Sequence, residues 1–313
     1  MSKKRKIALV IAVLCVLVII AISAIGIYHY NKNKITYILN DTLPDGGGRR
    51  ATVILLGGQS NASGCSLNEY LERNVSIEKY DEYENGFDNV YINYRSGVYK
   101  TSNGFVKCAA GQGEIDNGFG PELGLADKLN ELYPDETFFI IKCAWGGTDL
   151  YSQWLSPSSD GKTGKLYRHF VAFVDASIDY LISKNYDVKI EGMCWMQGES
   201  DSFMTDTASN YGTHLNNFIV DIRKRFNPYA SDDGIAFIDA YIAENPTYWV
   251  YYEMVNQGKT EVSELSDLNT VVKTSDLTCT GEPDEQADVA HYDSMSEIAL
   301  GHRFAEALVP YLD

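Results

Sequence analysis

Apolar runs of two lengths divide the chain of 313 residues. The longest covers residues 7–28, which contain no charged side chain and directly follow the basic segment MSKKRK. A helix of that length, at about 1.5 Å per residue, crosses a hydrocarbon core about 30 Å thick. We therefore predict an uncleaved transmembrane anchor; a signal peptide cleaved near residues 21–23 is the alternative. The basic residues orient 1–6 as a cytoplasmic tail and leave the remainder of the chain outside the cytoplasm.

Shorter apolar runs, at residues 52–56, 137–143, 190–196 and 235–242, have the length and composition of buried parallel strands. Segments with apolar residues at helical spacing lie between and after them. Their apolar positions are Leu123, Ala126 and Leu129; Leu166, Phe170, Val174, Ile178 and Leu181; Tyr211, Leu215, Phe218, Ile222 and Phe226; and Met295, Ile298, Ala299, Ala305 and Leu308. This alternation predicts an α/β protein, a three-layer α/β/α sandwich with a parallel sheet.

Two polar regions delimit and interrupt the predicted domain. Residues 29–50 are polar and end in DGGGRR, which is typical of a linker, so the domain is predicted over residues 51–313. Residues 68–117 are rich in tyrosine and asparagine, and the segment VYINYRSGVYK resembles a hairpin around Ser96 and Gly97. This region is either a long excursion that walls a binding cleft or a solvated loop without a ligand.

Acidic residues outnumber basic ones, 43 to 26, and give a formal net charge of −17. Phosphate backbones are bound by basic surfaces, so we expect no nucleic-acid partner. A neutral or cationic ligand fits this charge, although an acidic balance also serves solubility alone.

Six cysteines occur in the chain, and Cys15 lies in the apolar span. The other five are an odd number and cannot all pair within one chain. Cys143 and Cys194 stand inside apolar runs and are expected to be buried. None of the cysteines has the spacing of a zinc site, so we expect no metal. The sequence leaves any pairing open among Cys65, Cys108, Cys143, Cys194 and Cys279.

A serine follows the first predicted strand in the segment GGQSN, residues 57–61. Ligands of open α/β sheets bind outside the carboxyl ends of the strands, which is where Ser60 is expected. A helix that begins at the next residues would direct its N-terminal amides towards a developing anion. For this stretch alone, the alternative is that Ser60 is a helix N-cap.

The segment DVAH brings an acid and a base together just before the last predicted helix. A serine hydroxyl becomes a nucleophile when a base removes its proton, and a carboxylate can fix the tautomer of that base. Asp288, three residues before His291, can reach Nδ1 of the ring and leave Nε2 free for Ser60. A surface histidine without a catalytic role is the alternative.

Two further segments supply candidate hydrogen-bond donors. In CWMQGESD, Gln197 stands at the end of a predicted strand, where its amide can donate to an oxyanion. Glu199 and Asp201 are candidates to orient that amide or to contact a substrate. In NGFGPELGLADKL, Gly120 precedes Pro121 at a helix start, and its N–H is the second candidate donor. Ordinary turn chemistry is the alternative for both segments.

Together these segments resemble the SGNH/GDSL hydrolase superfamily, and more narrowly the sialic-acid-specific acetylesterase group, which includes carbohydrate esterase family six. The matching stretches, in order from about residue 52 to the carboxyl terminus, are GGQSN, GFGPELGLADKL, CAWGGTDLYSQW, WMQGESD and DVAHYDSMSEIALGHRFAEAL. The resemblance implies a flavodoxin-like fold and a serine esterase that removes acetyl groups from carbohydrate hydroxyls without a cofactor.

The resemblance also implies roles by position. Ser60 is the expected nucleophile, His291 the general base and then acid, and Asp288 the orienting carboxylate. The backbone N–H groups of Ser60 and Gly120 and the side chain of Gln197 form the expected oxyanion hole.

Gln59, Asn61 and Glu199 are the remaining candidates, either to contact the substrate or to support the catalytic groups. The expected substrate is an acetylated polysaccharide or sialic acid at the cell surface, or outside the cell if the apolar span is cleaved. Two alternatives stay open: a catalytically inactive glycan-binding surface protein, and an acyltransferase or lipase-type SGNH enzyme. An intact set of catalytic residues disfavours the first, and the second requires an apolar acyl tunnel.

Overall fold

The computed structural model of the protein describes residues 35–279 and 288–312. The predicted cytoplasmic tail (1–6), the predicted anchor (7–28) and the start of the predicted linker lie outside these ranges. Within them, no helix combines the length and the apolar composition needed to cross a membrane.

The described part of the chain alternates strands and helices. The strands are β1 Arg50–Gly58, β2 Ser66–Leu67, β3 Val90–Ser96, β4 Lys100–Thr101, β5 Val106–Lys107, β6 Gly118–Phe119, β7 Phe138–Ala144, β8 Asp187–Met196, β9 Ala236–Ala240 and β10 Asn269–Val272. The α-helices are α1 Ser60–Ser63, α2 Asn68–Asn74, α3 Ile77–Asn85, α4 Pro121–Leu132, α5 Lys165–Ser183, α6 Thr205–Phe226, α7 Tyr252–Ser263 and α8 Ser294–Leu308. Short 3-10 helices cover Asp201–Phe203, Asn227–Tyr229 and Val309–Tyr311.

One sheet of eight strands forms the centre of the domain, in the order β10-β9-β8-β1-β7-β3-β4, with β5 also paired to β3. The strands from β10 to β3 in this order are parallel, whereas β4 and β5 run antiparallel to β3. The predicted α/β fold with a parallel sheet is therefore confirmed. Strands β2 and β6 form a separate two-stranded ribbon.

The apolar runs of the sequence correspond to β1, β7, β8 and β9. Every residue of β7 is buried, and so is every residue of β1 except Arg50. A parallel strand that is covered on both faces needs apolar residues at successive positions rather than at alternate ones. This is why continuous apolar runs identified these strands.

Helices cover both faces of the sheet. On one face, Trp195 of β8 packs on Phe218 of α6, with ring centroids 4.7 Å apart. Residue 192 of the same strand points to the opposite face, because side chains alternate along a strand. There Gly192 leaves room for α8, since a Cβ atom at this position would lie 2.5 Å from the Leu308 side chain.

The hairpin predicted around Ser96 and Gly97 is present, but its first arm is a strand of the main sheet. β3 pairs with β7 over all of its residues, and β4 returns antiparallel beside it. Asn93, in the middle of β3, is fully buried, and its Nδ2 donates to Ser177 Oγ at 2.9 Å. This buried polar residue interrupts the apolar pattern, so the sequence did not reveal the strand.

Residues 37–49 lie against α5 without forming a helix or a strand. Leu43 is buried, and the backbone N–H groups of Thr42 and Leu43 donate to the hydroxyl of Tyr180 at 2.9 and 2.8 Å. The hydroxyl of Tyr37 lies 2.6 Å from Nδ1 of His169. This part of the predicted linker is therefore attached to the helix layer.

Candidate active site

Ser60 lies at the carboxyl end of β1, in the middle of the sheet. β1 has β7 on one side and β8 on the other. The chain places β3 and β7 on one side of β1 and then β8, β9 and β10 on the other side, so the strand order reverses at β1. Ligands of open α/β sheets bind at such a switch point. Ser60 is the first residue of α1 and Gln59 is its N-cap, so the alternative that Ser60 is the N-cap is wrong. Within the described ranges, neither the hydroxyl nor the backbone N–H of Ser60 makes a hydrogen bond.

His291 and Asp288 form a close pair on the turn before α8. Nδ1 of His291 lies 2.6 Å from Oδ2 of Asp288. The other carboxylate oxygen accepts the backbone N–H groups of Ala290 and His291 at 2.9 and 3.2 Å. Burial raises the pKa of Asp288, but the hydrogen bonds from His291 and Ala290 outweigh it and lower that pKa below its ordinary value. An ionised Asp288 accepts Nδ1–H and leaves Nε2 of the ring as a proton acceptor.

Asn61 connects the turn that carries Ser60 with the turn that carries His291. Its Nδ2 donates to the carbonyl of Ala290 at 3.3 Å, and its Oδ1 accepts the N–H of Tyr292 at 3.2 Å. The amide thus binds the backbone on both sides of His291. The residue next to the candidate nucleophile therefore holds the loop of the candidate base.

Glu199 supports Asn61 from the end of β8. Its Oε1 accepts Asn61 Nδ2 at 2.9 Å, and its Oε2 has no partner among the described residues. The side chain is buried. Burial raises the pKa of Glu199, and the hydrogen bonds from its own backbone and from Asn61 offset only part of that effect.

Gln59 ties the end of β1 to the end of β8. It is buried, and its Oε1 accepts the N–H groups of Gly198 and Ser200 at 3.4 and 3.2 Å. Nε2 of Gln197 lies 3.3 Å from the same oxygen. Gln59 and Asn61 were candidates either to contact substrate or to support the catalytic groups, and both are engaged inside the protein.

The predicted oxyanion donors Gln197 and Gly120 are also engaged. Nε2 of the fully buried Gln197 donates to Asp201 Oδ2 at 2.6 Å and to the Thr148 carbonyl at 3.0 Å. The N–H of Gly120 donates to Glu122 Oε1 at 3.0 Å. Gly120 is the N-cap of α4, which begins with proline as predicted. Their roles as oxyanion donors stay predictions, because a substrate oxyanion must compete with these internal acceptors.

Asp201 links the ends of β7 and β8. Its Oδ2 accepts the N–H of Leu150 at 2.8 Å in addition to the Gln197 amide, and its Oδ1 accepts the N–H of Tyr151 at 3.0 Å. Burial raises the pKa of Asp201 to about 6, although these hydrogen bonds act in the opposite direction. Asp201 therefore orients the Gln197 amide, one of the two roles considered for it.

Two features of this edge were missed in the sequence. Oε2 of Glu114 accepts a short hydrogen bond from Ser63 Oγ and the N–H of Gly146 at 2.8 Å. Lys142, inside β7, is fully buried and lies 2.6 Å from the carboxylate of the fully buried Glu122. The contacts of Glu114 carry no local signal, but a lysine within an apolar strand is a signal of a buried partner.

Among the described residues there is neither a group of side chains suited to hold a metal ion nor a disulfide bond. No three or more His, Cys, Asp or Glu side chains within residues 35–279 and 288–312 are grouped to hold a metal ion. Cys143 and Cys194 are fully buried, as predicted. The cysteines that the structure describes are free, namely Cys65, Cys108, Cys143, Cys194 and Cys279.

The described residues form an α/β domain on a mostly parallel sheet, with polar side chains gathered at the carboxyl edge of that sheet. A family model described as carbohydrate esterase, sialic acid-specific acetylesterase, matches residues 50–310. The chain belongs to this family.

One curated protein and two solved structures illustrate what this chain is similar to. The probable 9-O-acetyl-N-acetylneuraminic acid deacetylase of Escherichia coli (strain K12) is 29% identical over 143 residues, which are 42% of this chain and 42% of that protein. The alignment thus spans less than half of the curated relative. Two solved structures share the fold at 17% identity. A protein from Arabidopsis thaliana has a TM-score of 0.62, over 84% of this chain and 100% of that one. NanS has a TM-score of 0.61, over 87% and 99%.

Proposed function

We propose that this chain removes O-acetyl groups from carbohydrates as a serine esterase, with Ser60 as nucleophile, His291 as base and Asp288 as its orienting carboxylate. The observation that carries the proposal is the bridge made by Asn61. Its amide binds the backbone at Ala290 and Tyr292, and its own backbone continues directly from Ser60. A base held in this way stays beside the nucleophile.

The first half of the reaction transfers the acetyl group to the enzyme. Ser60 Oγ attacks the acetyl carbonyl carbon while Nε2 of His291 takes the hydroxyl proton. The tetrahedral intermediate then collapses: the bond from the acetyl carbon to the sugar oxygen breaks, and His291 gives its proton to that oxygen. The sugar leaves with a free hydroxyl, and the acetyl group remains on Ser60.

The second half releases acetate. A water molecule attacks the acetyl carbon, and His291 accepts a proton from that water. The bond to Ser60 Oγ breaks, and His291 returns the proton to the serine. Asp288 stays ionised through both halves, because its lowered pKa favours the carboxylate, and it stabilises the imidazolium that forms twice.

The backbone N–H of Ser60 is the first donor to the oxyanion, since no described residue accepts a hydrogen bond from it. Gly120 and Gln197 join it only if the intermediate displaces Glu122 or Asp201 as their acceptor. Each preorganised donor of this kind is typically worth about 10²–10³ in rate.

The substrate class rests on the family and its relatives. The curated relative is named for deacetylation of a 9-O-acetylated sialic acid, and the matching family is described by the same chemistry. We therefore propose an O-acetylated carbohydrate, either a polysaccharide or a sialic acid, as the substrate of this chain.

The proposal includes a location at the cell membrane with the esterase domain outside the cytoplasm. Support comes from the uncharged span 7–28 and the basic residues 3–6 before it. The full chain should pellet with membranes and resist high salt, because burial of apolar surface is not screened by ions. Recovery of a shortened chain in the medium would show cleavage instead.

Acetate release tests the catalytic assignment. Wild type, Ser60→Ala and the control Ser209→Ala, which alters an exposed serine on α6, are compared on an acetylated xylan, an O-acetylated sialic acid and p-nitrophenyl acetate. We expect Ser60→Ala to lose activity by several orders of magnitude and the control to keep it. Comparable turnover by Ser60→Ala would refute the mechanism.

A further inference from the structure

A cleft of about 700 Å³ lies beside the candidate active site, between the turn from β3 to β4 and the loop at residues 112–116. Its lining includes Ser96, Val98, Tyr99, Lys100, Glu114 and Asp116. None of these side chains takes part in the proposed acetyl transfer.

The cleft opens on the same edge of the sheet as Ser60. Ser96 ends β3, which is separated from β1 by β7 alone. Neighbouring strands are about 4.8 Å apart, so the end of β3 is about 10 Å from the end of β1. Ser63 connects the two places, because its hydroxyl lies within hydrogen-bond distance of both the Ser60 carbonyl, at 3.2 Å, and the Glu114 carboxylate.

Glu114 lines the cleft, and one of its carboxylate oxygens is fixed by hydrogen bonds. Oε2 is held by Ser63 and by the N–H of Gly146. Oε1 makes no hydrogen bond with the described residues, and the side chain is partly exposed. Gly97 keeps this oxygen open, since a Cβ there would lie 2.6 Å from it, and its φ of +64° also favours glycine. Glu114 Oε1 is therefore available to accept a ligand hydroxyl.

The turn presents apolar surface at the rim of the cleft. Tyr99 is 91% exposed and Val98 63% exposed. Aromatic rings bury much area on contact at a small cost in conformational entropy, and a pyranose ring offers an apolar C–H face to such a ring. An exposed ring beside an unpaired acceptor fits a sugar, which has both apolar faces and hydroxyl groups.

The charges of the cleft select among sugars. Lys100 pairs with Asp116, so these two charges balance. Glu114 adds a negative charge that no described cation neutralises, because it is engaged only by Ser63 and Gly146. A carboxylate-bearing sugar would be repelled here.

We propose that this cleft is a saccharide subsite that holds an uncharged sugar ring next to the acetylated one, with Tyr99 stacking on the ring and Glu114 accepting a hydroxyl. The inference rests on the proposed function and makes it more specific: the preferred substrate is an acetylated neutral oligosaccharide. The cleft lies about 10 Å from Ser60 by the spacing of two strands, so the acetylated residue would lie between the two places.

The test compares kcat/KM for an acetylated xylotriose with kcat/KM for p-nitrophenyl acetate, which is too small to reach Tyr99. In Tyr99→Ala the ratio of the two should fall about tenfold, mainly through KM of the oligosaccharide. Tyr99→Phe retains the ring and should keep the ratio within about twofold. Tyr229→Ala, which removes a half-buried tyrosine near the amino-terminal half of β8, is the control for loss of a ring away from the cleft.

Three results with Tyr99→Ala would overturn the subsite: an unchanged ratio, an equal loss on both substrates, or a larger effect on an O-acetylated sialic acid than on the xylotriose. Failure of the proposed function looks different, because Ser60→Ala would then keep its activity on p-nitrophenyl acetate. Wild type that hydrolyses this small ester but no neutral saccharide ester would overturn the subsite and leave the nucleophile in place.

Discussion

At the scale of single residues, the amide of Asn61 sets the distance between the Ser60 turn and the His291 turn. All three of its hydrogen bonds are made inside the protein, to Ala290, Tyr292 and Glu199. Two of these bonds are donated by the amide and one is accepted by it. A carboxylate cannot donate and an apolar side chain can do neither, so neither can make the same three bonds. In the proposed mechanism, the position of His291 relative to Ser60 therefore depends on a residue that performs no proton transfer.

Asn61→Asp should lower kcat about 100-fold while the protein still folds. The carboxylate cannot donate to Ala290 or Glu199, and it places a second acidic group beside a buried one, so the loop of the base shifts. Hydrolysis of p-nitrophenyl acetate and a thermal melt measure the two effects. Asn210→Asp, the same change on an exposed part of α6, is the control. Activity within twofold of wild type in Asn61→Asp would contradict the positioning role.

Gln197→Ala separates a structural role from an oxyanion role. The change leaves the buried Asp201 carboxylate without one donor, which should cost about 2 kcal/mol, or about 5 °C in Tm for a domain of this size. Because the amide is fully engaged, we expect kcat of the folded variant to stay within about tenfold. A loss of 10²–10³ in kcat at unchanged Tm would show instead that the amide serves the oxyanion.

At the scale of elements, the site is a set of strand ends tied to one another. Gln59 joins β1 to β8, and Asp201 joins the segment after β7 to the one after β8. Both side chains are buried and accept backbone N–H groups. The loops that surround Ser60 are thus held by polar groups rather than by regular secondary structure.

Asp201 should make these loops sensitive to pH. Its folded pKa of about 6 exceeds the ordinary value of about 3.9, so the folded state binds more protons between these values. The contribution of Asp201 to the free energy of unfolding is therefore largest below about pH 4 and falls as the pH rises to about 6. The difference in unfolding free energy between wild type and Asp201→Asn should therefore fall by about 3 kcal/mol over this range and stay flat above it. Urea unfolding at each pH measures it; a constant difference would refute the assignment.

The elements also show which features a sequence reveals. β1, β7, β8 and β9 were predictable, because burial on both faces demands unbroken apolar runs. β10, with only its first residue buried, lacks such a run, and buried Asn93 concealed β3. The pair Asp288–His291 was predictable because both lie on one turn. Contacts that depend on folding, such as the one between Glu114 and Gly146, leave no local pattern.

At the scale of the whole molecule, the catalytic unit begins before its first strand. The described residues from Tyr37 onward belong to one compact unit. Tyr37 packs edge-on against Phe173 at 5.2 Å between ring centroids, and Leu43 is buried. The polar appearance of residues 29–50 therefore hid a segment that adds apolar contacts to the domain.

A chain that starts at residue 37 should keep the Tm and the activity of the full domain, whereas one that starts at residue 46 should melt about 5–10 °C lower. The shorter chain loses the burial of Leu43 and the packing of Tyr37, worth about 2–3 kcal/mol. Differential scanning calorimetry of both chains checks this. Equal melting temperatures would mean that the segment contributes nothing to the fold.

In the proposed mechanism Ser60 is a nucleophile activated by His291, and covalent labelling measures that activation. Wild type, Ser60→Ala and His291→Ala are treated with a fluorophosphonate, which reacts with activated serines, and the adduct is located by peptide mass spectrometry. We predict one adduct, on Ser60, with labelling at least about 100-fold slower in His291→Ala and absent in Ser60→Ala. An adduct on another residue, or equal labelling of wild type and His291→Ala, would refute this mechanism.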